Sequence, residues 1–373
     1  MDLRTPPTPC LILDLNRVRR NAEMMSERAN TLDVDLRPHV KTHKCIEIAQ
    51  LQVAGHFGGI TVSTLAEAFA FAGAGFADIL YAVPVEPGKF ARACELAKIC
   101  ERVILTTDNL DIPNAFNAAA QRADVKFDVL IEVDCGDKRC GVDVHSPTLI
   151  EIAKLIADAK HLNFAGIMTH AGQSYAARQR EKRMKIARQE RDRMNVVAER
   201  LEAAGLEFET VSVGSTPTAM TIDNLEGVTE IRPGNYIFFD AFQAELGTCA
   251  VSDCALTVLA SVVHRDVSQR KIVIDAGAIA LSKDPGPVDF NANCGFGRVL
   301  DINGKDLNLR VSALSQEHGK ITVEDRGLLE RLSVGTRVRV LANHSCLTVA
   351  QHEKYHVLEY GELIGQWPIH RGW

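Results

Sequence analysis

The sequence predicts an α/β protein, a (β/α)₈ TIM-type barrel joined to a second, mainly antiparallel β domain. Three observations predict it. Between about residue 30 and residue 235, eight short apolar runs alternate with helical patterns, the count that a closed parallel barrel requires. No Gly-x-Gly-x-x-Gly fingerprint follows the first run, which argues against an open doubly wound sheet. Gly295-Phe296-Gly297 lacks both the third glycine and the strand–turn–helix setting. After about residue 250 no long helical pattern separates the β-like runs.

The barrel runs are Val34–Arg37, Gly59–Ser63, Asp78–Val83, Val103–Leu105, Phe127–Asp134, Phe164–Thr169, Thr210–Val213 and Val228–Ile231. Helical patterns lie between them at Leu65–Ala74, Phe90–Cys100, Ile112–Arg122 and Pro147–Ala159, with a long charged one from Ala176 to Ala204. Residues 178–200 of that last segment read as a solvated helix face. In the second half, Ala255–Val263, Lys271–Asp275, Arg298–Asp301, Leu307–Leu314, Arg337–Val340 and His356–Glu359 are β-like. Turn sequences such as Asp284-Pro285-Gly286-Pro287 and Asn303-Gly304 separate them. The extended stretch Thr8–Leu13 lies outside the barrel count and is available to pair with the β domain. The expected boundaries are 16–248 for the barrel, with 1–15 and 249–373 forming the β domain.

The 373 residues are 46% hydrophobic and 24% charged, enough for one large core and a smaller one. A formal net charge of −6 gives no electrostatic case for a nucleic acid partner. No apolar run reaches the length of a membrane span, and the first ten residues, with Pro6, Pro7 and Pro9, carry no apolar signal core. Ten cysteines without a framework spacing are expected to be reduced thiols of a cytoplasmic protein.

In such barrels function gathers at the C-terminal ends of the strands, and phosphate often sits after strands seven and eight. Strand one leads into Leu36-Arg37-Pro38-His39-Val40-Lys41-Thr42-His43-Lys44. A lysine at that rim is placed to form a Schiff base with an aldehyde cofactor, and neighbouring cations favour the neutral, nucleophilic amine. Most lysines are simply solvated, so the position carries weight only with the other loops. Strand five runs into Asp134–Gly141, which includes Arg139, and strand six into His170-Ala171-Gly172-Gln173-Ser174-Tyr175. Strand seven runs into Gly214-Ser215-Thr216-Pro217-Thr218, and strand eight into Arg232-Pro233-Gly234-Asn235-Tyr236. Gly-Ser-Thr before a proline, at a helix start, and Gly-Asn in a turn both offer backbone N–H groups to a phosphate. Either alone would be ordinary turn chemistry. Together with Lys41 they point to a phosphorylated aldehyde, pyridoxal 5'-phosphate.

These runs, with Thr61-Val62-Ser63-Thr64-Leu65-Ala66-Glu67-Ala68, Ser315-Gln316-Glu317-His318-Gly319 and Asn343-His344-Ser345-Cys346, resemble the D-serine dehydratase-like family. That family holds D-serine dehydratases, D-threo-3-hydroxyaspartate dehydratases and, more distantly, D-threonine aldolases, all alanine-racemase-type (fold III) pyridoxal phosphate enzymes. The resemblance spans nearly the whole chain in order and spacing. It implies that Lys41 carries the cofactor and is the catalytic base. It further implies that Arg139 hydrogen-bonds the ring oxygen and that Tyr175 lies near the pyridine nitrogen. Gly214, Ser215, Thr216, Gly234 and Asn235 would hold the phosphate, with Tyr236 beside them. The implied reaction is dehydration of a D-3-hydroxy amino acid to a 2-oxo acid and ammonia, in a homodimer.

His344-Ser345-Cys346 is a second constellation. In an extended segment residues two apart share a side, so an imidazole and a thiolate would converge. That donor pair suits Zn²⁺, with Mn²⁺ or Co²⁺ as alternatives, and leaves coordination positions for substrate. The resemblance supports an activating divalent ion there. In the aldolase branch the second ligand is typically acidic, so Cys346 favours the dehydratases. His352-Glu353-Lys354-Tyr355-His356 spells the zinc-protease pattern but requires a helix, and Val357–Gly361 reads as strand and turn. Rival readings are retro-aldol cleavage to glycine and an aldehyde, racemisation with Tyr355 or Tyr360 as a second acid/base, and a non-catalytic cofactor carrier. A substrate with a second carboxylate would need one more cation, for which Arg298, His370 and Arg371 are candidates.

Overall fold

A computed structural model describes residues 2–373, and main-chain contacts divide them into two units. One comprises 24–234 with His370–Trp373; the other comprises 2–23 with Asn235–Ile369. The chain opens with β1 (Cys10–Asp14) and α1 (Leu15–Thr31), a helix absent from the sequence expectation.

The 24–234 unit is the expected barrel. Its strands are β2 (Asp35–Leu36), β3 (Ile60–Val62), β4 (Asp78–Pro84), β5 (Arg102–Thr107) and β6 (Phe127–Asp134). The short β7 (Val142–Asp143) pairs only with β6, and β8 (Leu162–Thr169), β9 (Thr210–Val213) and β10 (Glu230–Ile231) complete the set. Neighbours run parallel in the order β2-β10-β9-β8-β6-β5-β4-β3. A parallel bridge between His39 and Thr61 closes the circle, with Thr61 N donating to Pro38 O at 3.0 Å. Leu80, Ile104, Leu130, Ala165 and Met168, from four neighbouring strands, fill part of the interior, as barrel packing requires.

The crossovers are α2 (Ile46–Val53), α3 (Leu65–Gly73), α4 (Phe90–Leu96), α5 (Ile112–Ala123), α6 (Thr148–Ala157), α7 (Arg180–Ala203) and the single turn α8 (Thr216–Ala219). Local chemistry sets their ends. Thr64 caps α3 by accepting from Glu67 N, and Ser215 caps α8 by accepting from Thr218 N, with Pro217 in the first turn. Away from the rim, buried Arg37 is held by Glu230 at 2.8 Å and by Asp78, and Arg102 is held by Asp128 at 2.6 Å.

The other unit carries β11 (Leu256–Asp266), β12 (Lys271–Ile274), β13 (Gly297–Leu300), β14 (Asp306–Leu314) and β15 (Gly319–Thr322). It continues with β16 (Arg337–Ala342), β17 (Lys354–Glu359) and β18 (Glu362–Pro368). The pairings β11-β12-β15-β14-β13-β16-β11 return to their start, making a small antiparallel barrel extended by β1, β17 and β18. The N-terminal stretch pairs as expected: β1 lies antiparallel to β11 and parallel to β17. Two strands of this unit escaped the sequence reading. The short β15 follows a polar turn, and β18 is largely exposed, so neither shows a continuous apolar signal. His356 sits within β17, so His352–His356 is not the helix that a zinc-protease pattern needs. Among the described residues no helix is long and apolar enough to cross a membrane.

Candidate active site

The C-terminal ends of the barrel strands converge on one cavity of about 330 Å³. Its lining includes His39 and Lys41 after β2, Arg139 and Cys140 after β6, His170 after β8, Gly214 after β9 and Arg232 after β10. Lys41 stands in a 3-10 turn, Val40–Thr42, whose flanking Val40 and Thr42 are buried, so the backbone on either side of the lysine is anchored. Arg139 reaches Glu132 at 3.2 Å, and Cys140 Sγ donates to the same carboxylate at 3.0 Å. Arg232 is buried, donating to Thr169 O at 2.6 Å and to Ser212 Oγ. A larger open groove of about 720 Å³ along α7 is walled by exposed side chains such as Arg180 and Lys185, with no convergent set.

Charge in this cavity is uneven. Burial, followed by the cations of Lys41 and Arg139, pulls His170 down to about 3. Burial, then Lys41 and Arg232, pulls His39 well below its ordinary value. Both imidazoles are therefore neutral beside three cationic side chains. His170 Nδ1 lies 2.8 Å from Gly214 O, which makes that nitrogen the donor and leaves Nε2 as an acceptor. His39 Nδ1 is buried without a hydrogen-bond partner.

The two rim loops share a support. Glu190 Oε1, on α7, accepts from Ala171 N and from Gly214 N, each at 3.2 Å. Burial pushes Glu190 up to about 7 against those hydrogen bonds and the Arg232 charge. Gly214 has φ +151°, and a Cβ there would lie 2.9 Å from Arg232 N. A Cβ at Gly234 would lie 2.7 Å from His39 O. Both glycines keep the rim thin where a ligand's anionic end would meet backbone.

The expected phosphate residues are arranged unevenly. Ser215 and Thr216 are buried, and Ser215 Oγ is engaged by Ser174 Oγ and Thr218 Oγ1, each at 3.0 Å. The Ser215 hydroxyl is thus already engaged within the loop. Asn235 turns its side-chain amide to Asp240 Oδ2 at 2.8 Å, to Ser345 Oγ at 3.0 Å and to Cys346 Sγ at 3.8 Å. Tyr236 is fully buried. Tyr175 is half-buried beside His170, with ring centres 6.5 Å apart.

His344 and Cys346 lie just after β16, and their side chains hydrogen-bond each other. The geometry differs from the extended pair expected. His344 is extended at the N-cap position, whereas Cys346 is in the first turn of a short helix, Ser345–Val349. Convergence comes from the turn, not from strand periodicity. Burial would lower His344, but hydrogen bonds with Asp284 and Cys346 hold its imidazolium up to about 11. Asp284 Oδ2 lies 2.9 Å from His344 Nδ1.

Other candidates are accounted for differently. Arg298 is held by Glu245 at 2.8 Å and Asp306 at 3.2 Å, which offsets its charge. His370 N donates to Lys44 O at 2.7 Å. Tyr355 is fully buried against Phe238, and Tyr360 is 85% exposed on the β17–β18 turn. Sequence reasoning missed His39, His170, Arg232, Glu190 and Asp284. The first three stand in the strand-end runs already singled out, His170 and Arg232 immediately after β8 and β10 and His39 three residues after β2, but were given no role there.

Residues 13–241 match the alanine racemase N-terminal domain family, and residues 255–358 match the serine dehydratase domain family. The chain belongs to this alanine-racemase-like family, as its parallel barrel and antiparallel β domain also indicate. Among curated relatives, it is 38% identical to D-threo-3-hydroxyaspartate dehydratase of Delftia sp. (strain HT23), covering 100% of this chain and 99% of that one. It is 34% identical to D-serine dehydratase of Dictyostelium discoideum, over 100% and 98% of the two chains. D-threonine aldolase of Arthrobacter sp. is more distant, at 31% over 97% and 92%. The solved structure of the Delftia enzyme superposes with a TM-score of 0.96 at 37% identity, covering 100% of both chains. A variant of D-threo-3-hydroxyaspartate dehydratase has been solved in a form described as metal-free.

Proposed function

We propose that this protein is a pyridoxal 5'-phosphate- and divalent-metal-dependent dehydratase of a D-3-hydroxy amino acid, releasing a 2-oxo acid and ammonia. The observation that carries the reading is the set of side chains lining one rim cavity: a lysine, two arginines and two neutral imidazoles, beside the thin Gly214 loop. A volume of about 330 Å³ suits a small cofactor with substrate atoms. Lys41 offers the amine that an aldehyde needs, and Arg139 and Arg232 offer the positive charge that a phosphorylated, phenolic ring demands. The residues present fit the cofactor. On the metal side, an imidazole and a thiolate suit Zn²⁺. Two protein ligands would leave coordination positions for substrate oxygen.

When bound, the cofactor supplies an electron sink at the substrate α-carbon and the metal a Lewis acid at the departing β-oxygen. The chain's own residues do the rest. Lys41 Nζ would hold the cofactor at rest and, as a free amine, would serve as the base for the substrate α-proton. Arg139, itself anchored by Glu132, donates to the ring oxygen. Backbone amides of the Gly214–Thr216 and Gly234–Asn235 turns hold the phosphate. His344 and Cys346 hold the metal. Cys346, where the aldolase branch has an acidic ligand, favours elimination of water over carbon–carbon cleavage.

The test is product analysis on D- and L-forms of serine, threonine and threo-3-hydroxyaspartate, with and without added Zn²⁺. The expected result is ammonia and a 2-oxo acid from D-substrates only, in a metal-dependent manner. Glycine and an aldehyde as the main products would replace the dehydratase with an aldolase.

A further inference from the structure

We infer that Asp284 is a positioning residue for the divalent metal, acting through His344; the inference rests on the metal reading above. An imidazole has two nitrogens. Here Nδ1 lies 2.9 Å from Asp284 Oδ2, which commits it as the donor and leaves Nε2, whose proton a metal would displace, as the nitrogen for a cation. The carboxylate is itself fixed, because Oδ1 accepts from Gly286 N at 2.6 Å. The Asp284 carbonyl accepts from Asn343 Nδ2 at 3.2 Å, and the same amide donates to Gly295 O at 2.8 Å. The Asp284–Pro287 turn packs so closely on the residue before His344 that a Cβ at Gly286 would lie 2.6 Å from Asn343 Cγ. Turn and ligand segment therefore form one piece. The His344 ring cannot rotate or change tautomer without breaking a charge-assisted hydrogen bond.

Asp284 is not itself a third ligand, since no triple of His, Cys, Asp or Glu among the described residues is arranged around a common point. A carboxylate behind a metal-bound histidine fixes its orientation and raises its basicity, and losing it weakens metal affinity by about 10–100-fold.

The experiment is zinc affinity, measured by chelator competition on the full-length protein. Asp284→Asn, Asp284→Ala and Asp289→Asn, an exposed carboxylate of the same loop, are compared with the wild type. Zinc X-ray absorption is recorded on the wild type and Asp284→Asn. Asp284→Asn retains an acceptor for Gly286 N, so it keeps the turn even if the alanine variant folds poorly. The expected result is unchanged affinity in Asp289→Asn and a loss of about 10–100-fold in Asp284→Ala. Asp284→Asn should fall between them, with the nitrogen-and-sulfur first shell intact. Equal affinity in wild type and both Asp284 variants overturns the inference while leaving the metal reading standing. Loss of an oxygen from the metal's first shell in Asp284→Asn also overturns it, by making Asp284 a ligand. If the wild type binds no zinc, or His344→Ala binds it as tightly, the metal reading fails and the inference falls with it.

Discussion

Glu190 shows how much of this site depends on a residue outside it. Its carboxylate holds the loops that follow β8 and β9, yet burial keeps its proton to about pH 7. The sign follows from linkage. The native state holds this proton over a range where the unfolded chain, titrating near 4.5, has lost it. Stability therefore falls as pH rises from about 4.5 to about 7. Glu190→Gln keeps an acceptor for both amides and removes the titration. Urea unfolding across that range should show the wild type losing up to about 3 kcal/mol that the variant retains. Parallel profiles would contradict the burial of an ionisable group there. Lys41 and Arg139 were legible in the sequence because they follow strands, where chemistry collects. Glu190 was not, because the segment around it is dense in charge and reads as solvated. In the structure Arg183, Ala187, Glu190, Met194, Val197 and Leu201 form the buried stripe of α7, spaced by fours and threes. Two of the six are charged, which hid the stripe from any hydrophobic count. Asp284 was illegible for another reason: its partner is 60 positions away and only tertiary folding joins them.

At the scale of elements, the loops are the fragile parts. Gly214 occupies a positive-φ conformation, and an added Cβ would press on the backbone of Arg232. Gly214→Ala should cost about 1–3 kcal/mol of stability. It should also raise the pyridoxal phosphate concentration needed for half-saturation, by fluorescence titration, at least tenfold. An alanine variant that binds the cofactor as tightly as the wild type would separate this loop from the phosphate. Six of the barrel strands were readable because each carries a short apolar run that a parallel sheet buries, whereas β2 (Asp35-Leu36) and β10 (Glu230-Ile231) do not. Beside the two-residue members, β2 and β10, the ladder continues toward the rim through Arg37 N to Ile231 O and His39 N to Pro233 O, each at 3.0 Å. The exposed β18 lacks such a run, and α1 went unread for want of a place in the barrel count. The short helix at Ser345–Val349 changed how His344 and Cys346 meet without separating them.

At the scale of the whole molecule, the chain divides its chemistry between units: the lysine cavity belongs to the barrel, and the imidazole–thiolate pair to the β domain. The family kinship spans both, since one profile covers most of the barrel and the other most of the β domain. That kinship was readable because ordered motifs along the chain are an independent signal from periodicity. Whether the substrate carries a second carboxylate was not readable in the sequence, and Arg298, one candidate cation for it, is tied to Glu245 and Asp306. The central claim is the covalent anchoring of an aldehyde cofactor at one amine among many lysines. Incubation with pyridoxal phosphate, borohydride reduction, digestion and peptide mass spectrometry reads that directly. The account expects a single stoichiometric pyridoxyl adduct on the peptide carrying Lys41, absent from Lys41→Ala. A dominant adduct on any other lysine, or no adduct in the wild type, would contradict it.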